Sequence, residues 1–129
     1  MVHAMEDEQT KQKRKEALQD LFHEMSLEDC PILVEGLRDR LALVIAGIDE
    51  SHIIMLHGKP LYEVEEYLEM HDRVILLLDY DREGKKLFKR FRRYLQKHKV
   101  RIINRYRRII YQIFDGHLDC IEHLRRYFT

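Results

Sequence analysis

The stretch that decides the fold is VILLLDYDREGKK, residues 74–86. Five apolar residues, 74–78, run directly into Asp79 and Asp81, and a basic segment follows at once. An uninterrupted apolar run bounded by polar residues is typical of a strand buried on both faces, as in a parallel sheet. The stretch therefore predicts a strand followed by a helix, with two like charges where the strand ends.

The same alternation of strand and helix extends along the chain. Apolar runs predict further strands in ILVEG (32–36), HIIMLHG (52–58) and VRIIN (100–104), beside RVILLLDYD (73–81). Apolar residues at helical spacing predict helices between them, over 7–25, 37–47, 60–71, 82–99, 106–114 and 118–128. Strands that are apolar throughout, separated by helices, indicate an α/β fold. We expect a mainly parallel four-stranded sheet with helices on both faces and further helices at each end of the chain.

Bulk composition indicates one globular domain. The chain has 129 residues, of which 45% are hydrophobic and 36% charged, and that length gives room for one sizeable core. No apolar run approaches the ~20 residues that cross a bilayer, and the first residues lack the pattern of a secretory signal. We expect a cytoplasmic protein without a membrane partner, in which Cys30 and Cys120 are unpaired thiols.

A net charge of zero conceals a strongly basic segment. Thirteen of the 23 lysines and arginines fall between Arg82 and Arg108, against a single acid, Glu83. Such a segment is either a solvated helix face or a surface for a polyanion, and the near absence of acids favours the polyanion. The predicted phosphate- or nucleic-acid-binding residues are Arg82, Lys85, Lys86, Lys89 and Arg93, together with Lys59 after the second strand.

Three acids follow two of the predicted strands, Glu35 after the first and Asp79 and Asp81 after the third. The carboxyl ends of parallel strands share one edge of the sheet, where ligands bind. Asp79 and Asp81 lie two residues apart, so their charges repel by about 1 to 3 kcal/mol if the chain stays extended. A cation relieves this repulsion, and Mg²⁺ prefers carboxylate oxygens. The sequence has no GxxxxGK[ST] or GxGxxG loop and no zinc-type His/Cys spacing.

Each charged residue also has a structural interpretation. Asp81 is in position to cap the following helix, which leaves Asp79 and Glu35 unexplained. Glu83 in the first helical turn complements the helix dipole, and this is its favoured interpretation. Arg82 is either a surface arginine or a phosphate ligand beside the helix N-terminus.

These segments together resemble the Toprim domain shared by topoisomerases, bacterial-type primases, overcoming-lysogenization-type nucleases and ribosomal-RNA maturation nucleases. The resemblance rests on ILVEG, RDRLAL, IIMLHG and VILLLDYDREGKK, in order and spacing over about residues 30–104. INRYRRIIYQIF (103–114) and IEHLRRYF (121–128) are similar to the tail of small stand-alone Toprim proteins, many of them archaeal.

The resemblance implies a Rossmann-like fold in which residues 30–129 form the Toprim domain with its C-terminal helices. Residues 1–29 would be a helical extension of the same compact unit. Glu35 would serve as general acid or base and join Asp79 and Asp81 in holding one or two Mg²⁺ ions, which Mn²⁺ could replace. Arg82 would match the arginine after the second aspartate in type IA topoisomerases and primases. Gly36 would form the tight turn after the first strand, and Gly58 and Gly84 are expected at turns.

The implied function is Mg²⁺-dependent phosphodiester chemistry on RNA or DNA, of nuclease or nucleotidyl-transfer type. We do not expect topoisomerase or complete primase activity, because the sequence shows no domain with an attacking tyrosine and no zinc ribbon. The alternative is a non-catalytic nucleic-acid or ribonucleoprotein binding module that uses the basic segment 82–108. A DxD phosphatase is disfavoured, since that class places its motif after the first strand. The terminal helices are a candidate interface for a protein partner or a second copy.

Overall fold

The computed structural model describes residues 6–129 and shows a four-stranded, all-parallel sheet. The strands are β1 (Ile32–Val34), β2 (Ile53–Met55), β3 (Arg73–Leu76) and β4 (Arg101–Ile103), and their order is β2-β1-β3-β4. Ile32 pairs with Ile53 on one side and with Ile75 on the other, so β1 is a central strand. Residues 1–5 of the predicted N-terminal extension lie outside the described range.

Five α-helices accompany the strands in the described part of the chain. They are α1 (Glu8–Ser26), α2 (Leu37–Ile45), α3 (Leu61–Leu68), α4 (Arg82–Lys97) and α5 (Arg105–Ile113). Two 3₁₀ segments, Glu50–His52 and Ile121–Tyr127, complete the described structure. The predicted Rossmann-like α/β arrangement is confirmed. Within residues 6–129, no helix is both long and apolar enough to cross a membrane.

The sheet is buried on both faces, as the apolar strands predicted. One face packs against α1, α2, α5 and the C-terminal 3₁₀ segment, and the other packs against α3 and α4. Alternate residues of β3 divide between these layers: Ile75 belongs to the first, and Val74 and Leu76 belong to the second. The four apolar residues predicted to form the inner face of α1 are buried there: Leu18, Leu21, Phe22 and Met25.

The predicted elements are all present, but every strand is shorter than predicted and the last helix is of a different type. The last element is a 3₁₀ helix and not an α-helix, because its buried residues Leu118, Ile121, Leu124 and Tyr127 recur every three residues, which is the 3₁₀ repeat. With this repeat Tyr127 is buried, where the α-helical spacing predicted from the sequence would have buried Phe128. The third strand ends at Leu76, earlier than the predicted Asp81, because its pairing with β4 stops at Ile75 and its pairing with β1 stops at Leu76.

The sheet order reverses between β1 and β3. The chain passes from β1 to its neighbour β2 on one side, and from β3 to β4 on the other. Such a switch point opens a crevice at the carboxyl ends of the two strands, and ligands of open α/β sheets bind there. The segments after β1 and β3 carry Glu35 and Asp79 to this crevice.

Candidate metal centre

Glu35 and Asp79 are in direct contact at the switch point. Glu35 follows β1 immediately, and its Oε2 accepts a 2.8 Å hydrogen bond from the backbone N–H of Asp79. The two strand ends are therefore joined through a pair of acidic residues.

Both aspartates are anchored by backbone N–H groups as well. Asp79 Oδ1 accepts from Ile121 at 2.8 Å, and Asp81 Oδ1 accepts from Gly84 at 2.8 Å. Asp81 is thus the N-cap of α4, which confirms the structural interpretation of this residue. A carboxylate has about four acceptor positions on its two oxygens. The cap therefore leaves capacity on Asp81 for a cation.

The cluster concentrates acid charge, and the Arg107 guanidinium beside it donates to the Asp79 backbone carbonyl rather than to a carboxylate. None of the ion pairs in the described part of the chain involves Glu35, Asp79 or Asp81. Burial raises the pKa of Glu35 to about 7, with the charges of Asp79, Asp81 and Asp39 adding to the rise. The hydrogen bond from the Asp79 N–H opposes it. Burial also raises the pKa of Asp79.

Glu35 and Asp79, but not Asp81, line an open cleft of about 340 Å³ whose wall includes residues that the sequence did not single out. These are Arg38 and Asp39 from the start of α2, and Cys120 and Glu122 near the C-terminus. Asp39 is buried and accepts a hydrogen bond from the Gly36 N–H at 3.0 Å. Burial raises its pKa to about 6, opposed by hydrogen bonds from the backbone of Gly36 and Glu122.

The C-terminal segment closes one side of the cleft. The backbone N–H of Tyr80 donates to the Asp119 carbonyl at 2.7 Å, and the Ile121 N–H donates to Asp79. These bonds bring Cys120 beside the two aspartates, where its Sγ lies within 4.8 Å of carboxylate oxygens of both Asp79 and Asp81. Burial raises the pKa of the Cys120 thiol to about 12, and the surrounding acids reinforce that shift.

The side chains of the site offer oxygen and sulfur atoms as possible metal ligands, and their chemistry indicates which metals fit. Carboxylate oxygens of Asp79, Asp81 and Glu35 are hard ligands of the kind that Mg²⁺ and Mn²⁺ take. A thiol is a soft ligand that suits zinc or cadmium and adds little to magnesium binding. The residues present fit a divalent cation held by Asp79 and Asp81, with Glu35 adjacent and Cys120 at the side.

Arg107 holds the segment after β3 in place. Its guanidinium donates to the carbonyls of Leu78 at 2.9 Å and Asp79 at 2.8 Å, which lie beyond the end of the strand. The same guanidinium lies 4.4 Å from the centroid of Tyr80 and 4.5 Å from that of Phe88. Desolvation lowers its pKa. Arg107 is therefore a half-buried support of the site, and its guanidinium is engaged by these contacts.

The three predicted turn glycines differ in their surroundings. A Cβ on Gly84 would lie 2.5 Å from the carbonyl carbon of Asp79 and closer still to its oxygen, so only glycine lets α4 start here. Gly58 has φ +77°, a left-handed conformation that favours glycine. Gly36 has an extended φ of −150° with open space around it, so this turn does not require glycine.

The predicted basic residues are distributed along α4. Arg82, Lys85 and Lys86 are exposed near its N-terminus, which Asp81 caps. Lys89 and Arg93 are also exposed, but Arg93 lies roughly 18 Å from the cap along the helix. Lys59 lies in a separate depression beside α3 and not in the cleft.

Not all thirteen basic residues of the segment face solvent freely. Arg90 pairs with Glu65 at 3.2 Å, and Arg105 pairs with Glu24 at 2.8 Å. Lys97 and Arg101 belong to the end of α4 and the start of β4. They therefore lie at the edge of the sheet opposite the cleft, because the strands are parallel. The cationic surface near the site is smaller than the sequence predicted.

Comparisons with known proteins agree with this architecture. The Toprim-like family matches residues 32–116. A UPF0292 protein from Thermococcus sibiricus is 36% identical over 112 residues, covering 87% of this chain and 86% of the relative. Its counterpart from Thermococcus onnurineus is 33% identical, covering 87% and 81%. A solved structure from Aquifex aeolicus superposes with a TM-score of 0.65 at 25% identity, covering 87% of this chain and 95% of that one.

Proposed function

The chain belongs to the Toprim-like family, and on that premise we propose that it catalyses divalent-metal-dependent phosphodiester chemistry on nucleic acid, as a nuclease or nucleotidyl transferase. At the family level, Toprim domains carry out metal-dependent nucleic-acid chemistry. The specific reaction is proposed from this chain's own residues. We expect it to act in the cytoplasm.

One observation carries the proposal: Glu35, Asp79 and Asp81 converge at the switch point without an ion-pair partner among the described residues. Folding has brought these acids together at an electrostatic cost, and backbone N–H groups orient them. Sites with perturbed carboxyl groups in a cleft are functional-site candidates on physical grounds.

Asp79 and Asp81 would hold the divalent ion. A bound ion of this kind polarises a phosphoryl oxygen and stabilises charge on the attacking and leaving oxygens. The anchoring hydrogen bonds keep both carboxylates oriented before substrate arrives, so little reorganisation is needed during the reaction.

Glu35 is the proposed proton-transfer group. A pKa of about 7 places this carboxyl near neutrality, where one residue can both accept and release a proton efficiently. Its Oε2 is held by the Asp79 N–H, which fixes the carboxyl toward the proposed metal ligands. A bound cation would lower this pKa and favour the base form.

The start of α4 would position the phosphate. Arg82, Lys85 and Lys86 are exposed close to Asp81, at the helix N-terminus, which itself favours an anion. Lys89 and Arg93 would extend this track along α4, and Lys59 would contact the polymer from the α3 side.

The test is a cleavage assay with labelled single-stranded and structured RNA and DNA, each with Mg²⁺ or Mn²⁺. Wild type is compared with Glu35→Gln and with Asp79→Asn/Asp81→Asn, and Glu66→Gln on the exposed face of α3 is the matched control. We expect metal-dependent turnover in wild type and control that falls at least 100-fold in the site variants. Salt-sensitive binding without turnover in any metal would replace the proposal with the binding-module function.

A further inference from the structure

A second cleft lies between α4 and α5, on the other side of the Asp79–Asp81 segment from the metal centre. It has a volume of about 420 Å³ and its base is Tyr80. Lys85, Phe88 and Arg92 line it from α4, at the spacing that places them on one helix face. Asn104, Arg107, Arg108 and Tyr111 line it from α5 and its N-cap.

Rings and guanidinium groups form a continuous stack along this cleft. Tyr111 packs on Tyr80 with centroids 5.0 Å apart and planes tilted by 30°. Arg107 lies between Tyr80 and Phe88, and Arg92 lies 5.8 Å from the centroid of Phe88. The outer members, Tyr111 and Arg92, are exposed, so the stack offers planar surfaces to solvent at each end.

The cleft is cationic as well as aromatic. Four of its eight lining residues are basic and none of those eight is acidic. Lys85, Arg92 and Arg108 take part in none of the ion pairs in residues 6–129. Desolvated arginine and exposed rings beside unpaired cations complement a ligand with both planar groups and negative charge.

We propose that this cleft binds the bases and phosphates of a single-stranded segment of the nucleic acid whose phosphodiester reaches the metal centre. The inference rests on the proposed function. Only unpaired bases can leave their own stack to lie on Tyr111, whereas a duplex keeps its base faces stacked and presents phosphates and base edges. Lys85 and Arg92 would contact the phosphates, and Tyr80, between the two proposed metal ligands, links the cleft to the centre.

The test measures binding without metal, so that it does not depend on catalysis. Anisotropy of labelled oligo(dT) and oligo(U) is recorded in EDTA at several salt concentrations, with a duplex of equal length beside them. Tyr111→Leu keeps apolar bulk against Tyr80 but removes the ring, and Tyr111→Phe restores it. Tyr62→Leu, on an exposed tyrosine of α3, and Arg101→Ala, at the opposite edge of the sheet, are the matched controls.

We expect Tyr111→Leu to weaken single-strand binding about 5- to 150-fold and Tyr111→Phe to bind like wild type. Arg92→Ala should lower the slope of log K against log salt by about 0.7. Thermal melting shows that each variant is folded. Equal single-strand affinity in Tyr111→Leu and wild type overturns the inference, as does competition by a polyglutamate peptide as strong as that by oligonucleotide.

Failure of this inference is distinguishable from failure of the proposed function. If cleavage requires Asp79 and Asp81 but single-strand binding is unchanged in Tyr111→Leu and Arg92→Ala, only the proposed role of the cleft is overturned. Selective single-strand binding that these two variants lose, in a protein without turnover, supports the cleft and overturns the catalytic proposal.

Discussion

The backbone N–H of Asp79 donates a 2.8 Å hydrogen bond to the carboxylate of Glu35 across the point where the sheet order reverses. This bond lowers the pKa of Glu35, but burial outweighs it and the pKa rises from 4.5 to about 7. In the metal-free protein, the Glu35 carboxyl therefore keeps its proton to a much higher pH than an exposed glutamate does.

Stability of the metal-free protein should fall as pH rises from about 4.5 to about 7. In this window the folded protein keeps a proton on Glu35 that the unfolded chain has released, so protonation favours the folded state and loss of the proton removes that stability. Asp39 and Asp79, whose pKa values are also raised, act with the same sign. The expected loss is on the order of 1 to 3 kcal/mol.

Urea unfolding in EDTA across this pH range measures the effect. Glu35→Gln keeps an acceptor for the Asp79 N–H and cannot titrate, so its pH dependence should be shallower than that of wild type. Mg²⁺ should stabilise wild type more as pH rises, because it competes with protons for the same oxygens. Parallel curves for wild type and Glu35→Gln would contradict the assigned pKa of this residue.

Much of this centre could be predicted from sequence because strand ends have a local signature. An apolar run that stops at an acid marks both a strand and its carboxyl edge, and parallel strands bring such ends together, as with Glu35 and Asp79. In α1, the apolar residues recur at i, i+3, i+4 and i+7, and this helical spacing likewise predicted the buried face. Strand ends and buried helix faces can be predicted because they are determined by residues close together in the sequence.

The rest depends on packing between distant segments. Asp39 resembles any acid in a first helical turn, and Cys120 and Glu122 lie in a segment whose place beside Asp79 follows from the Ile121 hydrogen bond. Arg107 stands between Tyr106 and Arg108 in a uniformly basic stretch. Only the docking of α5 against β3 decides that Arg107 turns inward while Arg108 stays exposed.

Gly84→Ala should destabilise the protein by about 1 to 3 kcal/mol and weaken metal binding. The new methyl group would overlap the Asp79 carbonyl, so either α4 or the metal-binding segment must shift. Gly36→Ala is the matched control, because its backbone is extended and its surroundings are open. Urea unfolding and Mn²⁺ titration measure both effects. If Gly84→Ala lost no more unfolding free energy or Mn²⁺ affinity than Gly36→Ala, α4 would be able to accommodate the methyl group by a small shift.

Arg107→Lys should destabilise the segment after β3 although it preserves charge. Lysine cannot donate to both the Leu78 and Asp79 carbonyls in the same fork, and it loses the planar contacts with Tyr80 and Phe88. We expect a loss of about 1 to 3 kcal/mol and weaker metal binding. Arg108→Lys, at the exposed neighbour, should change stability by less than about 0.5 kcal/mol. If Arg107→Lys were as stable as wild type, Arg107 would not support the segment after β3.

Cys120→Ser should separate hard from soft metals at the centre. The Cys120 Sγ lies within 4.8 Å of oxygens of Asp79 and Asp81, so a thiophilic ion such as Cd²⁺ can use all three. Cd²⁺ should then bind wild type more tightly than Mg²⁺ and produce ultraviolet thiolate-to-metal absorption, which Cys120→Ser abolishes. Mg²⁺ affinity should change less than about threefold, because its ligands are the carboxylates. Cys30→Ser is the control, since Cys30 is buried away from the cleft. Equal Cd²⁺ affinity in Cys120→Ser and Cys30→Ser would contradict a role for the Cys120 thiol. Loss of Mg²⁺ binding in Cys120→Ser would contradict binding of Mg²⁺ by the carboxylates alone.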